Sequence, residues 1–166
     1  MINLTINDQP VSVDDGATIL EAAEKLGIRI PTLCHIKLDC FHVEHRCGSC
    51  RICVVEVVGR RNLAPACCTP VQEGMVVKTN TIRAINARRT VLDLLLSDHP
   101  KDCLTCPKNL NCQLQKLAEE MNLHQVLYKG EQSTYNKDLS SMAIARDLDK
   151  CIMCRRCETA CNVIQT

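Results

Sequence analysis

The chain has 166 residues, of which 14 are cysteine, 2 are tyrosine, 1 is phenylalanine and none is tryptophan. Its 46% hydrophobic and 23% charged residues are ordinary for a globular protein and exclude a disordered or fibrous chain. A net charge of +1 gives no overall field that favours nucleic acid or an anionic membrane. No apolar run approaches the ~18 residues of a membrane span, and the first residues lack a signal-peptide pattern. We therefore expect a cytoplasmic protein whose cysteines bind metal rather than form disulfides.

The first residues predict a hairpin followed by a helix. Ile2, Leu4 and Ile6 alternate along one strand face, and the alternation resumes after a turn at Asn7–Asp8. Thr18 is a suitable N-cap, with Glu21 three residues later as its capping-box partner. Gly27 is expected at the C-terminal end of this helix.

Two further strands are predicted before residue 80. The first is a buried run of valines that ends at Gly59 and comprises Val54, Val55, Val57 and Val58. Glu73–Gly74 then turns the chain into a strand at residues 75–79. Several strands around one helix indicate a small α+β fold.

From residue 81 the pattern becomes helical. Apolar residues mark a helix from Ile82 to about Ser97, whose other face we expect to carry solvated arginines at positions 83, 88 and 89. A second helix is expected at residues 112–121, followed by a polar linker.

The C-terminal cysteines have the most specific spacing. Cys151, Cys154, Cys157 and Cys161 follow C-x2-C-x2-C-x3-C, which is the spacing of a bacterial [4Fe–4S] ferredoxin run. In two-cluster ferredoxins the fourth cysteine serves the other cluster, so we expect Cys161 to bind an adjacent cluster. Since no second motif follows, we expect the chain to be the front part of a longer polypeptide.

A second constellation precedes the linker. His99, Cys103, Cys106 and Cys112 form H-x3-C-x2-C-x5-C, which could hold one metal centre through three thiolates and one imidazole. Spacing alone leaves an iron–sulfur cluster and a structural zinc ion equally open, because Cys3His is also a normal zinc set. The spacing is also compatible with a His99 that lies at the end of a helix and does not bind the metal.

The first constellation has seven cysteines for four ligand positions. We expect a [2Fe–2S] centre in which Cys50 and Cys53, just before the buried strand, chelate one iron, while Cys34 and Cys67 reach the other. Cys47 with Cys50 is the alternative pair. The remaining cysteines are expected to be small buried apolar residues: Cys40, Cys47 and Cys68.

The order of these three constellations resembles the N-terminal electron-transfer region of [FeFe]-hydrogenase catalytic subunits of the NAD(P)-linked and electron-bifurcating type. The complex I large iron–sulfur subunit and some formate dehydrogenases share this region. The resemblance spans essentially the whole chain and is carried by the strings GSCRICVVEV, NLAPAC, EGM and SDHPKDCLTC.

The resemblance implies a β-grasp [2Fe–2S] domain at residues 1–80, a helical His/Cys3 [4Fe–4S] domain at 81–124, a linker at 125–144 and the first half of a ferredoxin-like domain at 145–166. It implies iron rather than zinc at His99, and it favours Cys53 over Cys47. The gap between Cys34 and Cys50 is longer than the usual family loop, which keeps Cys47 open as an alternative.

The expected function is an electron relay. The resemblance implies flavin- and NAD(P)H-binding iron–sulfur subunits as partners in a hetero-oligomer, with electrons passing to or from a hydrogen-activating site. No general acid–base pair, nucleophilic triad or phosphate loop occurs in these 166 residues, so we expect no catalytic residue among them. The alternative is the same relay in a formate dehydrogenase or complex I-type subunit, and the distant alternative is a zinc-stabilised interaction module.

Overall fold

A computed structural model describes residues 1–38, 40, 43–45, 48–130 and 132–164. The strands are β1 (Ile2–Ile6), β2 (Gln9–Val13), β3 (Ile36–Leu38), β4 (Val43–His45), β5 (Val54–Val57), β6 (Ala64–Pro65) and β7 (Val76–Lys78). The helices are α1 (Ile19–Lys25), α2 (Ile82–Asp98), α3 (Gln113–Glu120) and α4 (Arg156–Ile164). Short 3-10 turns occupy Cys103–Thr105 and Leu148–Lys150.

Five strands form one mixed sheet in the order β2-β1-β7-β5-β6. The hairpin β1–β2 is antiparallel, and its turn residues Asn7 and Asp8 both have positive φ, 48° and 67°, as a tight two-residue hairpin turn requires. Strand β7 pairs in parallel with β1 and antiparallel with β5. The separate pair β3–β4 is antiparallel. The sheet with its helices confirms the expected α+β class.

Helix α1 packs its apolar face into the core formed by this sheet. Ile19, Ala22 and Ala23 are fully buried in the same cluster as the inward residues of β1, β5 and β7. The expected capping box is present, since the Thr18 hydroxyl accepts from the Glu21 N–H at 3.3 Å while the Glu21 carboxylate accepts from the Thr18 N–H at 2.7 Å. This cap fixes where the helix begins and therefore how the preceding chain enters it.

Two burial expectations are wrong. Val58 is 58% exposed, because β5 ends at Val57 and the chain leaves the sheet there. On α2, Arg83 and Arg89 are exposed as expected, but Arg88 is only 4% exposed. Its helical spacing explains the difference, since it lies four residues after Ala84, which is also buried.

The chain divides into two compact units, Met1–Arg88 with Cys154–Thr166, and Arg89–Met153. The first contains the sheet and α1, and the second contains α3. Among the described helices, none has both the length and the apolar character needed to cross a membrane.

Candidate metal centres

Three loops of the first unit converge on one group of buried cysteines. Cys34 lies between α1 and β3, Cys50 and Cys53 lie in the loop that enters β5, and Cys67 follows β6. Their exposed fractions are 1%, 8%, 1% and 0% respectively. The structure therefore brings together the four cysteines predicted for the first cluster, away from solvent.

The thiols of these cysteines contact one another in a chain. Cys34 hydrogen-bonds with the side chains of Cys50 and Cys67, and Cys67 also hydrogen-bonds with Cys53. Among these four, the contacts run Cys50–Cys34–Cys67–Cys53, and Cys67 also hydrogen-bonds with the side chain of Cys68. The four can be divided into two contacting pairs in one way: Cys34 with Cys50, and Cys53 with Cys67. This pairing differs from the expected one, in which Cys50 and Cys53 shared an iron.

Backbone groups also point at these sulfurs. The N–H groups of Ile52 and Cys34 hydrogen-bond to the sulfur of Cys50, and the N–H of Cys67 does the same for Cys53. The loop is held against β6 by the Ala66 N–H, which donates to the Cys53 carbonyl at 3.1 Å. N–H groups directed at sulfur stabilise negative charge on it, as a thiolate ligand requires.

The thiol pKa values show how protons are shared in this group. The hydrogen bond from Cys67 lowers the pKa of Cys53 to about 7, against the effect of burial. Hydrogen bonding to Cys34 is the main cause that raises the pKa of Cys50 and of Cys67, and burial adds to it. A metal that binds all four sulfurs as thiolates displaces the protons that they carry.

The donor set fits a two-iron cluster. A [2Fe–2S] cluster needs four cysteine sulfurs, two on each of two irons. Two contacting pairs of buried thiols meet that requirement.

The other nearby cysteines differ from this group. Cys68 hydrogen-bonds with Cys67, but it is only half-buried, packs against the core and has a pKa raised mainly by burial. A Cβ at Gly48, whose φ is +61°, would stand 2.7 Å from the Cys68 sulfur, so glycine lets this loop close over it. Cys40 is exposed, which contradicts the expected burial. Cys47, the alternative ligand, lies outside the described residues.

The second constellation lies between α2 and α3. His99 directly follows α2, Cys103 begins a 3-10 turn, Cys106 caps that turn, and Cys112 is the N-cap residue of α3. The His99 Nδ1–H donates to the Pro100 carbonyl at 2.9 Å. In this tautomer the lone pair available to a metal is on Nε2, and the hydrogen bond fixes the orientation of the ring.

A cavity of about 540 Å³ opens beside these residues. His99, Cys103 and Cys112 line it together with apolar side chains that include Leu114 and Leu123. Cys106 is half-buried and is not part of the lining. The arrangement of imidazole and thiols around one cavity fits a bound cluster.

The C-terminal cysteines lie on a loop and on α4. Cys151 follows the turn Leu148–Lys150, and its sulfur accepts from the Met153 N–H at 3.4 Å. Cys157 and Cys161 are four residues apart on α4, and both are exposed. The helical spacing of these two cysteines places them on the same face.

Arg88 is a residue near the first group that sequence reasoning missed. Its Nε and Nη2 donate to the Val54 carbonyl at 3.0 and 2.7 Å, and Nη2 donates to the Thr79 carbonyl at 2.8 Å. Val54 directly follows Cys53, so a buried guanidinium is fixed beside the cysteine group. The signal available in the sequence was the four-residue spacing of Ala84, Arg88 and Leu92.

Two family models match this chain. Residues 1–82 match the 2Fe-2S iron-sulfur cluster binding domain, and residues 88–126 match the NADH-ubiquinone oxidoreductase-G iron-sulfur binding region.

Curated relatives match almost the whole chain. The NADP-reducing hydrogenase subunit HndD of Solidesulfovibrio fructosivorans is 58% identical, over 100% of this chain and 28% of that protein. The mitochondrial NADH-ubiquinone oxidoreductase 78 kDa subunit of Candida albicans is 34% identical, over 94% of this chain and 21% of that protein. The chain thus spans less than a third of the length of either relative.

A solved structure has the same fold. The crystal structure of an NAD+-reducing [NiFe]-hydrogenase in the H2-reduced state superposes with a TM-score of 0.87 and 30% sequence identity, over 97% of this chain and 66% of that one. This likeness extends over nearly the whole chain and includes both segments matched by the family models, residues 1–82 and residues 88–126.

Proposed function

We propose that this chain is an iron–sulfur electron relay. The observation that carries the proposal is the group of four buried, mutually contacting thiols within a segment that matches a 2Fe–2S binding domain. We assign a [2Fe–2S] cluster to Cys34, Cys50, Cys53 and Cys67, with one iron on Cys34 and Cys50 and the other on Cys53 and Cys67. Bound clusters supply one-electron transfer, and the chain's part is to hold and insulate them.

A [4Fe–4S] cluster is assigned to His99, Cys103, Cys106 and Cys112. The match of residues 88–126 to an iron–sulfur region supports iron over zinc. We further propose that Cys151, Cys154 and Cys157 bind a third cluster and that Cys161 serves an adjacent one. Both family models end before this motif, so its support is the cysteine spacing.

The parent enzyme is proposed from the relatives. We infer an NAD(P)-linked, cytoplasmic hydrogenase with flavin- and NAD(P)H-binding partner subunits, since one relative is an NADP-reducing hydrogenase subunit. We propose in addition that the hydrogen-activating site of this hydrogenase is of the [FeFe] type. A complex I-type protein is the alternative, favoured by the similarity to the 78 kDa subunit of NADH-ubiquinone oxidoreductase. We further propose that residues 1–80 form a β-grasp domain and that the following domain limits lie at residues 124 and 144.

Metal and sulfide analysis tests the relay. Anaerobically purified protein should contain iron with equimolar acid-labile sulfide, and EPR of the dithionite-reduced sample should show cluster signals. About six irons per chain would mean one [2Fe–2S] and one [4Fe–4S] cluster, and about ten would add the third. Zinc without sulfide would refute the relay and support the interaction module.

The double variant Cys154→Ser/Cys157→Ser is the matched control for the third cluster. If the wild-type protein contains about ten irons per chain, the variant should contain about four fewer. If the wild-type protein contains about six, the iron content of the variant should be the same. Hydrogen-dependent reduction of NAD+ or NADP+ by the assembled complex, compared with quinone-linked NADH oxidation, separates the hydrogenase from the complex I-type alternative.

A further inference from the structure

Arg88 presents a permanent positive charge inside the first unit. Its side chain is 4% exposed, and its guanidinium is held by three hydrogen bonds to main-chain carbonyls. Two of these reach Val54, the residue after Cys53, and the third reaches Thr79 beyond β7. These bonds fix the position of the charge relative to the loop that carries Cys50 and Cys53.

Carbonyl dipoles do not neutralise this charge. Among the described residues, no carboxylate forms an ion pair with Arg88, and the carbonyl that accepts two of its hydrogen bonds belongs to the residue directly after Cys53. Burial lowers the pKa of the guanidinium and the Cys53 charge raises it. An arginine nevertheless stays protonated in proteins, so its charge needs a nearby negative partner.

A cluster on the four cysteines would be that partner. Four thiolates bring negative charge, and one-electron reduction adds one more unit. A fixed cation in a medium of low dielectric stabilises the more negative, reduced form most strongly, and this raises the reduction potential.

We propose that Arg88 is a positioning residue that holds a buried positive charge beside the [2Fe–2S] cluster and thereby raises the midpoint potential of that cluster. The inference rests on the proposed function, because it concerns the cluster assigned to Cys34, Cys50, Cys53 and Cys67. It gives a role to a buried arginine that no cysteine spacing would reveal.

Three variants of the full chain test the role of the charge. Arg88→Gln removes the charge and keeps a hydrogen-bonding side chain, Arg88→Met removes both, and Arg88→Lys keeps the charge. The control is Arg89→Gln, the same substitution at the next, exposed position of α2. The reduced [2Fe–2S] EPR signal is followed in an anaerobic potentiometric titration.

We expect Arg88→Gln and Arg88→Met to shift the midpoint to lower potential. At a fixed solution potential the ratio of reduced to oxidised cluster should fall about tenfold, which is about 59 mV for a one-electron couple. Arg88→Lys and Arg89→Gln should titrate close to the wild type. An unchanged midpoint in either neutral variant, or an equal shift in Arg89→Gln, would overturn the proposal.

Loss of the cluster in these variants also distinguishes a role of the Arg88 charge from a purely structural role. If both neutral variants fail to hold it while Arg88→Lys holds it at the wild-type potential, the charge is required and the proposal stands. If Arg88→Lys fails as well, the arginine has a structural role only and the proposal is wrong. Absence of a [2Fe–2S] signal from the wild-type protein would instead refute the proposed function.

Discussion

Cys53 and Cys68 are two cysteines of one unit with different surroundings. Cys53 is 1% exposed and its thiol pKa is lowered by a hydrogen bond from Cys67, whereas burial raises the pKa of Cys68 although Cys68 also hydrogen-bonds with Cys67. A lowered pKa favours the thiolate, which is the form that binds metal. The two residues therefore make a matched pair for testing the ligand assignment.

We predict that Cys53→Ser abolishes the [2Fe–2S] cluster and that Cys68→Ser retains it. The measurement is iron, sulfide and the visible absorption of anaerobically purified protein. Cys40→Ser is a second control, since Cys40 is exposed. Retention of the full [2Fe–2S] signal in Cys53→Ser would contradict the assignment.

As a proposed ligand, His99 would affect the charge of the second cluster. The imidazole is neutral as a ligand where a thiolate would be anionic, so we predict that His99→Cys lowers the midpoint potential of this cluster. EPR-monitored titration measures the shift. His124→Gln is the control, because His124 lines the same cavity and is not an assigned ligand. No shift, or a rise, in His99→Cys would count against the prediction.

Sequence spacing singled out the four cysteines that lie together in the first unit, but it did not single out Arg88. The cysteines could be selected because iron–sulfur clusters are held mainly by cysteine thiolates. An arginine is exposed in most proteins, and its burial here depends on carbonyls at Val54 and Thr79. Those partners meet it only when the sheet has formed, so no local pattern reveals them.

Among the elements, α1 was predictable almost to the residue. Its start is determined by a local motif, the Thr18–Glu21 capping box, and Gly27 has the positive φ, 71°, expected beyond its end. The short pair β3–β4 was not predicted, because strands of three residues have too little alternation to be recognised. The exposure of Val58 was missed for a related reason, since periodicity does not show where a strand leaves its sheet.

We predict that Thr18→Ala destabilises the protein by about 1 kcal/mol through loss of the N-cap oxygen. Thr18→Ser keeps that oxygen and should retain most of the stability. Anaerobic urea unfolding, followed by circular dichroism, gives the free energy of unfolding for each variant. Equal losses in the two variants would mean that the methyl group matters rather than the cap.

For the whole molecule, the first cluster and the hydrophobic core share residues. Cys53 and Cys67 belong to the same buried set as Ile6, Ile19 and Val77. The chain has few aromatic side chains to fill its interior, so buried thiols take part of that space. Metal binding and folding should therefore be coupled in the first unit.

We predict that removing iron with a chelator under anaerobic conditions lowers the melting temperature of the protein. A ligand that binds the folded state and not the unfolded one stabilises it, and its removal reverses that effect. Differential scanning calorimetry before and after treatment measures the change, with untreated protein carried through the same steps as control. An unchanged melting temperature would show that cluster binding does not stabilise the folded protein, which contradicts the prediction.

The near-complete burial of Cys53 and Cys67, at 1% and 0% exposed, has a consequence for biogenesis. A donor that delivers a preformed cluster cannot reach these sulfurs once the loop before β5 has closed. Delivery must then come before closure, while the nascent or partly opened chain still displays its thiols.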